Sequence, residues 1–120
     1  MRLMLVGALT ALMVATVNAA EDTDSANHLM PFCRFTSKEA MSSGEFRAAN
    51  WRRCIGMVDG IVEAGQHRPD EWCFEIPYGV TSLQSRQVVL KYADNRPEKT
   101  HLEFGAFVVL SFHDAWPCKK

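Results

Sequence analysis

The chain has 120 residues, with 13 basic against 14 acidic side chains, a net charge of −1 with histidine neutral, and four cysteines. A near-neutral, slightly acidic balance makes nucleic acid and anionic membrane surfaces poor partners. The length allows one modest domain with a high surface-to-volume ratio, the regime in which cross-links supplement burial.

Arg2, an apolar run from Leu3 to Val17, and Asn18-Ala19-Ala20 ahead of acidic Glu21-Asp22 have the layout of a secretory signal peptide. The run is shorter than the roughly 20 apolar residues a membrane-spanning helix needs, and acidic rather than basic residues follow it. The expectation is a signal peptide over 1–20 and a single exported domain over 21–120, with no membrane attachment after cleavage. All four cysteines, Cys33, Cys54, Cys73 and Cys118, follow that leader. An even count in a small exported domain reads as a framework of two intrachain disulfides. Their separations of 21, 19 and 45 positions contain no Cys-x-x-Cys or His-x-x-x-His ligand spacing, so no metal site is expected.

In chain order, the apolar residues Leu29, Met30, Phe32 and Cys33 predict a short helix from about 27 to 35, with Asn27 as its cap. Pro31 is expected to restrict or break it. Residues 35–43 read as a loop with at most one helical turn. The clearest element is a helix from about 45 to 64, whose inward face carries Trp51, Cys54, Ile55, Val58, Ile61 and Val62, with Gly65 as its stop. Gly56 and Gly60 inside it each cost about 1 kcal/mol relative to alanine, which predicts close approach of another helix as compensation.

Residues 66–78 read as a long polar connection held midway by Cys73, between Trp72 and Phe74. Thr81 and Gln84 form a capping-box signature for a third helix that Asn95-Arg96-Pro97 ends. Its inward face is expected to carry Leu83, Val88, Val89 and Tyr92 or Ala93. A fourth helix from about 100 to 115 carries Phe104, Phe107, Val108, Leu110, Phe112 and Ala115. Four helices without an alternating strand pattern make the fold class all-α, a small four-helix domain. Antiparallel succession favours pairing Cys33 with Cys54 and Cys73 with Cys118. Pairing Cys54 with Cys73 and Cys33 with Cys118 stays open.

Residues that carry chemistry are sparse. His28, His67, His101 and His113 form no ligand pair, no serine sits in a nucleophile elbow, and the glycines form no phosphate loop. The aromatic residues fall mostly at helix-spaced core positions. No enzyme and no cofactor are indicated.

One family shares the order of landmarks: Ala26-Asn27-x-Leu29 with Cys33, Cys54-x-Gly56 and Gly60, Cys73, Pro77, Gly79-Val80-Thr81, Gln84, Val88-Val89, Tyr92, Pro97-Glu98 and Ala115-x-Pro117-Cys118. The chain resembles the Rap/Tai immunity proteins along almost its whole length after residue 20. Met57, Ser85 and Ala93 depart from the pattern, the last two thinning the apolar face of the third helix. The resemblance implies a periplasmic, mainly helical, often homodimeric protein that binds and blocks a peptidoglycan amidase delivered by a type VI secretion system. It also implies inhibition by occlusion of the enzyme's cleft through a protruding loop. By composition the candidate loops are 66–72 (Gln66, His67, Arg68, Asp70, Glu71, Trp72) and 95–100, with more weight on the first because Trp72 can anchor it. A reading from a different class is a periplasmic acid-stress chaperone, helical and disulfide-linked, with its carboxylates and histidines titrating to expose apolar surface.

Overall fold

The computed structural model describes residues 23–67 and 72–119. The expected signal peptide lies outside these residues. Five α-helices follow in order: α1 Ala26–Cys33, α2 Ser37–Ser42, α3 Glu45–His67, α4 Ser82–Asn95 and α5 Phe104–Ala115, with a 3₁₀ turn Pro97–Lys99 between the last two. The 23-residue α3 is the central element, contacted by each of the other four helices, and α4 also packs on α5.

Local chemistry explains where the helices begin. Ser25, not Asn27, caps α1, its hydroxyl accepting from the His28 amide. Thr36 and Glu39 form a complete capping box on α2, so the segment expected to be mainly loop contains a six-residue helix. Thr81 and Gln84 do the same for α4, as the sequence predicts. α5 begins at Phe104 rather than 100 and has no side-chain cap; the Asp24 carbonyl accepts from the Phe104 amide at 2.7 Å instead. The exchange is mutual, since Ala26 and Asn27, the first residues of α1, donate to the Leu102 and Thr100 carbonyls. Two helix starts therefore satisfy each other's orphan groups through the segment at 24–27.

Pro31 does not break α1, which continues to Cys33. Leu29, Met30 and Cys33 are all buried, and burial on both sides of Pro31 outweighs the backbone bond it cannot donate. The Cys33–Cys54 disulfide then fastens α1 to α3, with Cα atoms 5.6 Å apart. That bond removes the alternative pairing of Cys54 with Cys73. The remaining two cysteines come together elsewhere: the Cys118 amide donates to the Cys73 carbonyl at 3.2 Å, without a clear bond between their sulfurs.

The core is built around Phe74, Phe104, Phe107, Phe112, Leu29 and Val58, each at most 1 % exposed. α4 presents Ser85, Val89, Tyr92 and Ala93 inward, whereas Leu83 is 51 % exposed. The expected inward residues Val89, Tyr92 and Ala93 are buried and Val88 packs against the core, so only Leu83 departs from the expected face, with Ser85 taking an inward place instead. On α5, Ser111 takes an inward place and sends its hydroxyl back to the Phe107 carbonyl at 2.8 Å; Ala115 is exposed.

Gly65 is not the stop of α3, which runs on to His67. It is a buried position in the last turns, and a β-carbon there would lie 2.3 Å from Cε2 and Cζ of Phe74. Gly56 and Gly60 are exposed, and a β-carbon at either would meet nothing within 4 Å, so the close helix approach expected there does not occur among the described residues.

Candidate partner-binding face

The connection expected to carry the contact leaves α3 through Gln66 and His67, both exposed. Arg68, Asp70 and Glu71 lie outside the described residues. The chain returns at Trp72, which is half-buried and packs on the core cluster, its ring centroid 5.9 Å from that of Phe74. Phe74 is fully buried and meets Phe112 edge-on, with centroids 5.4 Å apart. Trp72 and Phe74 therefore fasten the returning end of the connection to the domain, while the buried Gly65 makes room for the Phe74 ring at the departing end.

Between these aromatic residues, Cys73 has φ 54°, a left-handed backbone that residues with a β-carbon seldom adopt. Two donors hold its carbonyl in place: the Cys118 amide at 3.2 Å and Nδ1 of His113 at 2.7 Å. The Glu75 amide donates to the Trp116 carbonyl at 2.9 Å, completing an isolated antiparallel bridge between Phe74 and Pro117. The C-terminal segment thereby closes against the segment that follows the connection.

These contacts shape a concave strip. A hollow of ≈ 290 Å³ beside Gly65, Gln66, Phe74 and Ile76 shares Glu75 and Ile76 with a cleft of ≈ 550 Å³ reaching Pro77 and Trp116. Trp116 in turn borders a groove of ≈ 310 Å³ with Val80, Val88 and Lys91. Tyr78, fully exposed, stands between Pro77 and Gly79. Tyrosine and tryptophan offer large contact area at small entropic cost, and both are enriched where proteins meet. Sequence reading passed over Tyr78 and Ile76. An aromatic side chain in a Pro-Tyr-Gly turn, away from any helical stripe, was the available signal.

The second candidate loop, 95–100, is exposed through Lys99 and internally braced. The Thr100 hydroxyl donates to the Pro97 carbonyl at 2.8 Å, Nδ1 of His101 meets the Glu98 carbonyl at 2.8 Å, and Arg96 lies 3.7 Å from Glu98. It is a stiff turn without an exposed aromatic residue.

The histidines are dispersed: His28 is tilted against Phe32, His67 and His101 are exposed, and His113 serves the Cys73 carbonyl. Among the described residues no group of three or more histidine, cysteine, aspartate or glutamate side chains could hold a metal ion, and no helix is long and apolar enough to cross a membrane.

Comparison with curated proteins and with solved structures finds no match. A family profile described as Rap1a immunity proteins matches residues 25–118, from the Ser25 cap of α1 to Cys118 beside Cys73. With the helical order, the Cys33–Cys54 bond and the Thr81 capping box in place across that span, the chain belongs to the Rap1a immunity protein family.

Proposed function

We propose that the protein is a periplasmic immunity protein that binds a peptidoglycan amidase effector of a type VI secretion system and inhibits it by covering its active-site cleft. The observation that carries this reading is the family match over residues 25–118. The amidase and the secretion route come from the resemblance of the sequence to the Rap/Tai proteins, and export comes from the signal-peptide layout of residues 1–20. The reading places the contact on Gln66, His67 and the connection that follows, with Tyr78 and the concave strip beside it as the supporting surface. Inhibition by occlusion requires no chemistry from the inhibitor, only a rigid, complementary surface.

The experiment is a neutral-pH titration of the oxidised protein into candidate type VI amidases, with peptidoglycan hydrolysis as the readout. Loss of activity at a fixed stoichiometry against one amidase supports the reading. Hydrolysis that continues in excess protein, together with capture of many unfolded clients only in acid, favours a chaperone instead.

A further inference from the structure

We propose that the face formed by the end of α1, by α2 and by the start of α3 is a second docking surface, separate from the 66–78 connection, whose occupant is an acidic polypeptide segment carrying an apolar side chain between carboxylates. Phe46 and Met41 are 68 % and 60 % exposed, although both are large apolar side chains. Neither hangs free. The Phe46 ring meets half-buried Phe32 edge-on, with centroids 5.7 Å apart, and His28 tilts against Phe32 at the same distance. The Met41 sulfur accepts from the Arg52 guanidinium at 3.6 Å. The Trp51 indole donates to the Phe35 carbonyl at 3.0 Å and so holds the turn between α1 and α2. Aromatic residues, methionine and arginine are enriched where proteins meet, and side chains ordered beforehand lose less entropy on binding.

The charge on this face identifies its occupant. Arg47 lies over the Phe35 ring, 5.8 Å from its centroid, so Arg47 and Arg52 both rest on apolar side chains instead of on carboxylates. The ion pairs among the described residues engage Arg34, Arg53 and Arg96 and include none of the exposed Lys38, Arg47 and Arg52. Between Phe32 and Arg52 the acidic side chains are Glu39 and Glu45. Glu39 accepts from the Thr36 amide, and Glu45 sits in the first turn of α3, where the helix dipole favours it. The face thus offers cations around an apolar centre, the complement of carboxylates around an apolar side chain. It also stands apart from the connection, since α3 carries Phe46 about 30 Å from Gln66 at about 1.5 Å per residue. An interface of ordinary size, about 800 Å² per partner, reaches only about 16 Å from its centre. One centred on the connection leaves Phe46 uncovered.

The test pans a display library of random short peptides on the oxidised, folded chain and measures the selected peptides by calorimetry at low and high salt. Enrichment of sequences with aspartate or glutamate on both sides of a phenylalanine, leucine, methionine or tryptophan is expected. Their affinity should fall with salt, fall at least tenfold in Phe46→Ser and in Arg52→Glu, and stay unchanged in a Gln66→Ala, His67→Ala, Tyr78→Ala variant. Unfolding midpoints matched to the parent separate lost binding from lost fold. Enrichment of basic or uncharged peptides, no enrichment over Phe46→Ser, or binding lost in the triple variant overturns the proposal. Binding to phosphatidylglycerol vesicles or self-association in sedimentation that disappears with Phe46→Ser also overturns it, because a lipid surface or a second copy is then the occupant. No amidase enters these measurements, so their failure is distinguishable from failure of amidase inhibition.

Discussion

The ring of Phe74 lies over Gly65 so closely that a β-carbon at position 65 would come within 2.3 Å of two ring atoms. Phe74 cannot easily yield, because it is fully buried between Trp72 and Phe112. Gly65→Ala is therefore expected to destabilise the fold by about 1–3 kcal/mol, the usual cost of overpacking, despite alanine's better helix propensity. Urea unfolding checks this, and an unchanged midpoint would show that Phe74 has room to shift.

Gly56 and Gly60 lie on the same helix and predict the opposite sign. With open space around each built β-carbon, Gly56→Ala and Gly60→Ala should each stabilise the monomer by up to about 1 kcal/mol through helix propensity and loss of unfolded-state freedom. A loss of stability that depends on protein concentration would instead place these glycines against a second copy of the chain.

Ser85 is 1 % exposed, and its hydroxyl has no hydrogen-bond partner among the described residues. Replacing it with alanine removes an unmet polar group from the core and should raise stability by about 1 kcal/mol. Ser111→Ala is the contrast, because it removes a hydroxyl already satisfied by the Phe107 carbonyl and should be neutral or mildly destabilising. Thermal unfolding of the pair separates the two cases.

The Cys33–Cys54 bond closes a sequence separation of 21 residues between α1 and α3. The double substitution of both cysteines by alanine should cost about 3 kcal/mol by the chain-entropy argument, lowering the denaturant midpoint. An unchanged midpoint would mean that the fully buried packing around Leu29 and Val58 alone holds α1 in place.

The helices were legible because their signals are local. The Thr81–Gln84 capping box and the apolar stripe around Cys54 and Val58 depend on neighbours three or four residues away, and both stand where the sequence puts them. Thr36-x-x-Glu39 carried the same signature for α2, although the surrounding serines favoured a loop reading. Other features depend on distant partners. Gly65 reads as a helix stop until Phe74 is placed over it, and the true start of α5 becomes visible only when Asp24 supplies the missing acceptor. Pro31 reads as a breaker because its cost is local while the burial that offsets it is tertiary. At the candidate face, the sequence gives polarity at Gln66 and His67 and an anchor at Trp72. The concave strip past Ile76 to Trp116 arises from closure of the C-terminal segment, which no local pattern announces.

The central claim is inhibition of an amidase through the face beside α3, and calorimetric titration of the oxidised protein against a type VI peptidoglycan amidase at neutral pH tests it most directly. It is to be repeated with a Gln66→Ala, His67→Ala, Tyr78→Ala variant whose unfolding midpoint matches the parent. The account predicts saturable binding with parallel loss of hydrolysis, weakened at least tenfold in the variant, equivalent to about 1.4 kcal/mol or more. Equal affinity of parent and variant would contradict the placement of the site, and no binding to any such amidase would contradict the function.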